Sequence, residues 1–118
     1  HNCRITNCTI DYFNPENRNV TRSWVIMYGR NNRFDHNTVV GKLHQEVTLA
    51  VALDEEYDRE NNHRIDYNYF GQRPIMGSNG GETMRVGSSH HAFFSSNTII
   101  ENNVFEQCNG EVEVAYLL

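Results

Sequence analysis

Apolar and polar residues along this chain fall mostly on alternate positions, in short runs that recur. The runs open as Asn2-Cys3-Arg4-Ile5, Asn31-Asn32-Arg33-Phe34, Asn62-His63-Arg64-Ile65 and Asn97-Thr98-Ile99-Ile100. Each continues with a polar residue (Thr6, Asp35, Asp66, Glu101), then a Cys or Asn (Cys8, Asn37, Asn68, Asn103), then an apolar residue (Ile10, Val39, Phe70, Phe105). The third positions, Arg4, Arg33, Arg64 and Ile99, stand 29, 31 and 35 residues apart. Alternation is the strand period, and a repeat of this length is the mark of stacked supersecondary units. Ile5 and Ile10 are out of phase, as are Phe34 and Val39, so a bend lies between them. Asn at the bend tolerates a left-handed backbone, and its amide can bond the equivalent Asn of the next unit. The pattern predicts an all-β chain, a parallel β-helix of about four coils. In such a stack each coil buries its apolar side only against a neighbour.

A second set of strands follows the bends: Glu46–Val51, Thr83–Val86 and Glu111–Val114. With Val47, Leu49, Met84, Val86, Val112 and Val114 turned inward, the alignment predicts two outward columns. One is Glu46, Thr83, Glu111 and the other Thr48, Arg85, Glu113. Adjacent strands lie ~4.8 Å apart and alternate residues of one strand ~6.5 Å apart. Glu111 and Glu113 then face one side, with Arg85 beside Glu113. Two outward carboxylates at that spacing can share a hard cation such as calcium, and Asn79, in the loop Gly77-Ser78-Asn79-Gly80-Gly81, is a natural third oxygen ligand. A Glu-x-Glu pair is also what a soluble amphipathic strand shows, and a glycine run also serves a tight turn.

Composition narrows the class. The chain has 118 residues, a net charge of −5 and 38% hydrophobic residues, a balance suited to many turns and a narrow core. No global field favours nucleic acid, and no stretch approaches the ~20 apolar residues that span a bilayer. The basic residues are nine Arg and a single Lys, Lys42. Arg4, Arg33 and Arg64 read as ladder or surface residues, and Arg73 and Tyr69 as structural. The three cysteines, Cys3, Cys8 and Cys108, have no metal-like spacing and read as buried thiols rather than a disulfide framework. Trp24 reads as core packing. The charged stretch Leu53–Asn62 reads as an excursion between coils. The expectation is one β-helix segment over 1–118, without an internal boundary. The chain opens inside a repeat and neither end carries a cap, so it reads as an excerpt of a longer solenoid that needs the rest of its own β-helix.

The run Asn62 to Gly71, the segment Asn79-Gly80-Gly81-Glu82-Thr83-Met84-Arg85-Val86-Gly87, the run Asn97 to Phe105 and Gly110-Glu111-Val112-Glu113-Val114 together resemble polysaccharide lyase family 6, the family of chondroitinase B and a group of alginate lyases. The resemblance implies a right-handed parallel β-helix and cleavage of uronic-acid polysaccharides by β-elimination. It implies calcium as cofactor, held by Asn79, Glu111 and Glu113, which neutralises the uronate carboxylate and acidifies the C5 proton. It also places the base, a Lys in the family, at Leu118, and the acid Arg beyond the chain; no catalytic residue is therefore assigned. Lys42, in the turn of coil two, does not correspond to that Lys. Arg85, His90 and His91 are the candidates for substrate contact, set against an ion pair for Arg85 and an exposed loop for the histidines. The expected partner is an acidic polysaccharide, alginate in preference to a glycosaminoglycan such as dermatan sulfate, and a secreted or periplasmic location follows from that substrate class. The alternative is a non-catalytic β-helix module that binds acidic polysaccharide, or a purely structural fragment.

Overall fold

The computed structural model describes residues 1–17, 20–75, 81–88, 94–110 and 114–117, with Tyr116 and Leu117 described through their main chain. Among the described residues twelve short strands run in three parallel sheets. The first sheet stacks β1 (Arg4–Thr6), β4 (Arg33–Asp35), β7 (Arg64–Asp66) and β10 (Ile99–Glu101). The second stacks β2 (Thr9–Asp11), β5 (Thr38–Val40), β8 (Tyr69–Arg73) and β11 (Val104–Cys108). The third stacks β3 (Val25–Met27), β6 (Leu49–Val51), β9 (Met84–Val86) and β12 (Ala115–Leu117). Each coil gives one strand to each sheet, which is the parallel β-helix the repeat predicts. Among the described residues no helix is long and apolar enough to cross a membrane.

The repeat register sets the first sheet: Arg4, Arg33, Arg64 and Ile99 are bridge partners, and so are Ile5, Phe34, Ile65 and Ile100. Ile10, Val39, Phe70 and Phe105 form the matching column of the second sheet. Phe34, Val39, Ile65 and Phe70, with Leu49, Val51, Met84 and Val86 from the third sheet, make one apolar core. Phe70 is fully buried, and its ring stacks on Phe105 with centroids 5.1 Å apart. Trp24 is half-buried against this core, and its indole donates to the Phe13 carbonyl.

The bends are columns of left-handed residues. One holds Asn2, Asn31, Asn62 and Asn97, with φ of 58, 59, 54 and 59°. A second holds Asn7, His36, Tyr67 and Asn102, with φ of 57, 54, 56 and 55°. A third holds Tyr12, Gly41, Gln72 and Gln107. At the second bend the left-handed turn thus falls on the residue before the recurrent Asn, and not on Asn37, Asn68 or Asn103 themselves. Their role is the ladder. Asn37 Oδ1 accepts from the Cys8 N–H, Asn68 Oδ1 from Asn37 N–H and Asn103 Oδ1 from Asn68 N–H, at 2.9, 3.0 and 2.9 Å. Their Nδ2 groups donate in turn to the carbonyls of Ile5, Phe34 and Ile65. Each amide so replaces hydrogen bonds that the turn takes away from the strands.

Two sequence-based expectations fail. The third sheet pairs Leu49 with Met84 and Ala50 with Arg85, and Met84 with Ala115 and Arg85 with Tyr116. The predicted columns Glu46/Thr83 and Thr48/Arg85 are therefore two residues out, and Arg85 pairs with Tyr116, three residues beyond the predicted Glu113. The loops before these strands differ in length; alternation cannot report the two-residue slip between β6 and β9, which leaves every side chain on the same face, whereas the three-residue shift at β12 is odd and breaks the expected alternation. The cysteines also divide: Cys108 is buried, while Cys3 and Cys8 are exposed, and all three are free thiols.

Candidate functional site

The outer face of the third sheet carries the site. In β3, β6 and β9 the flanking residues turn inward (Met27, Leu49 and Val51, Met84 and Val86) and leave the middle ones, Ile26, Ala50 and Arg85, on the outside. Over them lies an open cleft of about 540 Å³. Thr21, Arg22 and Ser23 wall one side, with Glu46, Asp54 and Ser88 also on its lining.

Arg85 is the charged centre of this cleft. Its Nη2 lies 2.8 Å from Glu46 Oε1 and its Nη1 3.5 Å from Glu82 Oε1. The side chain is 30% exposed, so the guanidinium is held from two sides yet open to the cleft. Arg22 is exposed on the same lining and has no acidic partner among the described residues. A guanidinium fork of this kind suits a carboxylate or sulfate.

Beneath the cleft lie two further cations. Lys42 and Arg73 are buried, 1% and 3% exposed. Burial, and then the nearby charge of Arg73, pull the Lys42 ammonium down to about 7. Lys42 Nζ donates to the carbonyls of His44, Gln45 and Glu46 at 3.0, 2.6 and 2.8 Å. Arg73 donates through Nη2 to the carbonyls of His44 and Glu46, and through Nη1 to those of Gly81 and Glu82. Sequence reading gave Arg73 a structural role, which its burial matches, and placed Lys42 in the turn of coil two without assigning it one. It passed over Glu46 and Glu82 as the partners of Arg85. The available signals were the solitary Lys42 in an Arg-rich chain and the Glu82-x-x-Arg85 spacing.

Of the residues singled out from sequence, Arg85 lies in the cleft. Asn79, His90, His91, Glu111, Glu113 and Leu118 lie outside the described residues. The residues bracketing the first and fourth of these are close together. A Cβ added to Gly110 would overlap the Gly81 carbonyl oxygen and crowd Arg73 Cδ. Val114 O accepts from both Thr83 N–H and Met84 N–H, and Asn109 N–H bonds the Arg73 carbonyl. The segments that lead to Asn79 and to Glu111 thus run against one another. Among the described residues no three His, Cys, Asp or Glu groups converge.

The comparisons with known proteins place this β-helix in one family. The chain matches the chondroitinase B family over residues 1–116 and belongs to it. Among solved structures it is similar to a polysaccharide lyase family 6 alginate lyase, AlyGC, at 54% identity and a TM-score of 0.94, over 97% of this chain and 16% of that one. It is also similar to a mannuronic acid specific family 6 lyase from human gut microbiota, at 37% identity and a TM-score of 0.89, over 98% of this chain and 27% of the other. A third, the family 6 lyase Pedsa3628 of Pseudopedobacter saltans, is 25% identical with a TM-score of 0.83, over 98% of this chain and 28% of that one. No curated protein matches. The chain spans between 16% and 28% of the length of these solved relatives.

Proposed function

We propose that this chain is a segment of a calcium-dependent polysaccharide lyase that cleaves alginate by β-elimination, with dermatan or chondroitin sulfate as the second substrate class. The observation that carries the reading is the 54% identity to an alginate lyase over nearly the whole chain. Asn79, Glu111 and Glu113 would hold the metal; their donors are all oxygens, the set a hard cation takes. The contact between Gly81 and Gly110 supports the meeting of their two segments. When bound, calcium would supply Lewis-acid stabilisation of the charge that develops beside the uronate carboxylate.

The chain's own residues supply binding. Arg85 offers its guanidinium to a second carboxylate or sulfate of the polymer, and His90 and His91 are proposed to wall the groove. No residue here is assigned to proton abstraction, because the family's base position holds Leu118, which accepts no proton. Loss of a general base costs a factor of about 100 to 10,000, so this chain by itself should bind its substrate and turn it over very slowly. That substitution also favours the second reading, a module that binds acidic polysaccharide without cleaving it. Calcium titration by calorimetry, on this chain and on Glu111→Gln, separates these readings when run beside an absorbance assay for the unsaturated uronate product on alginate and dermatan sulfate. Calcium binding that Glu111→Gln abolishes, with no product, is the expected result. Turnover at the rate of a complete lyase would overturn the assignment of Leu118, and absence of calcium binding would overturn the metal assignment.

A further inference from the structure

The two carboxylates that hold Arg85 come from loops, not strands. Glu46 stands before β6 and Glu82 before β9. Glu46 has a φ of 82°, a left-handed conformation that side-chain-bearing residues seldom adopt without support. The support comes from below. Lys42 and Arg73 both donate to the Glu46 carbonyl, and Arg73 reaches the Glu82 carbonyl at 2.7 Å with its other terminal nitrogen. Two buried cations, one from the coil of β5 and one from β8, therefore grip the main chain of the very residues whose side chains hold Arg85. Buried charge is an expensive way to fill space, and apolar residues of similar volume would do so at lower cost. What apolar residues lack is the reach to fasten two separate loops to each other, which the planar fork of Arg73 provides.

We propose that Lys42 and Arg73 are positioning residues for Arg85: they fix the loops of Glu46 and Glu82 from beneath, and so hold the two carboxylates that aim the Arg85 guanidinium into the cleft. The purpose of that aim, contact with the carboxylates of an acidic polysaccharide, rests on the lyase-family reading of the cleft. The positioning itself does not.

Two measurements keep these apart. The Nε–Hε resonance of Arg85 in the isotope-labelled 118-residue chain reads the positioning without any ligand. A sharp resonance is expected in the native chain. In Arg73→Lys and Lys42→Met it should broaden or move towards that of a free arginine, while the methyl signals of Ile65, buried under the first sheet, stay in place. Glu46→Gln keeps both buried cations and should reproduce the change, which covers a failure of Lys42→Met to fold. An Arg85 resonance unaltered in Arg73→Lys and Glu46→Gln overturns the proposal. Titration with an alginate hexasaccharide reads the purpose. Lys42→Met should weaken binding about tenfold when Arg85 is present and have no effect in the Arg85→Ala background. Equal losses in both backgrounds overturn the proposal. Should Arg85→Ala bind as tightly as the native chain, the polysaccharide reading of Arg85 fails, and the resonance alone decides the positioning.

Discussion

Asp35 and Asp66 show what a single position does here. Both are fully buried, and each is held by arginines of its own and the neighbouring coil. Arg4 Nε and Nη2 bond the two carboxylate oxygens of Asp35 at 2.9 and 2.7 Å, and Arg33 does the same to Asp66 at 3.0 and 2.9 Å. Arg64 bonds both Asp66 and Glu101. The hydrogen bond from Arg4 leads in holding the Asp35 carboxyl well below the carboxylate range. Burial pushes Asp66 up, but Arg33 and Arg64 outweigh it and leave the group lowered. A carboxyl lowered on folding binds fewer protons in the folded state than in the unfolded one, so stability falls as pH drops. Their contribution is complete above the ordinary carboxylate pKa of about 4 and is lost as pH falls towards the folded values. Urea unfolding between neutral pH and strong acid should show this decline. Asp66→Asn should flatten it and lower stability at neutral pH, because Arg33 and Arg64 then lose a charged partner. An acid limb as steep in Asp66→Asn as in the native chain would remove Asp66 from the account. This ladder was legible as Arg at a fixed place in three of the four repeats. Its acidic half was legible only as a polar position, since sequence does not show that Asp35 and Asp66 are buried.

At the scale of the element, strands of three residues have little intrinsic stability, and the turns between them do much of the holding. The Asn ladder is the clearest case. Asn68 is nearly inaccessible, accepts from Asn37 N–H and donates to Phe34 O and Asn103 Oδ1. Asn68→Ala leaves the Asn37 N–H and the Phe34 carbonyl unpaired under the neighbouring coils. A cost of about 2–4 kcal/mol is expected in chemical denaturation, against a few tenths for a polar change at the exposed Glu101. A loss below half a kilocalorie would mean that water replaces the amide. The ladder was readable from the recurrence of Asn. The assignment of the left-handed angle was not, because the repeat marks Asn37, Asn68 and Asn103, whereas the turn falls on Asn7, His36, Tyr67 and Asn102. Three different side chains occupy that column, and no composition rule singles them out.

For the whole molecule, each core column is closed only by stacking, so damage in one coil should be felt by the stack. Phe70 packs between Val39 and Phe105 in its column and is fully buried. Phe70→Ala should cost about 3–5 kcal/mol, with the transition still followed equally by circular dichroism and by Trp24 fluorescence. Separate midpoints for the two probes would show that the coils unfold independently. The same stacking builds the cleft. Ile26, Ala50 and Arg85 come from three coils and share a face because β3, β6 and β9 are neighbours. The partners that orient Arg85 come from loops of two coils, and the cations under those loops from β8 and from the turn after β5.

The sequence by itself determined the architecture. A recurrent alternation with an Asn at each bend leaves few ways to satisfy both the backbone and the apolar residues except parallel stacking. It also determined the family, through segments whose order and spacing are specific. Tertiary structure decided the register of the third sheet, since loop lengths and packing choose it: between β6 and β9 a slip of two residues preserves the alternation, and at β12 the shift is three. It decided the partners of Arg85 as well. Glu46 is brought to the guanidinium beside Glu82 by the superposition of coils, and Lys42 and Arg73 reach their carbonyls through the interior. The Glu82–Arg85 and Lys42–Glu46 contacts are local in sequence, but those of Arg85 with Glu46 and of Arg73 with Glu46 span 39 and 27 residues, and no local pattern encodes them.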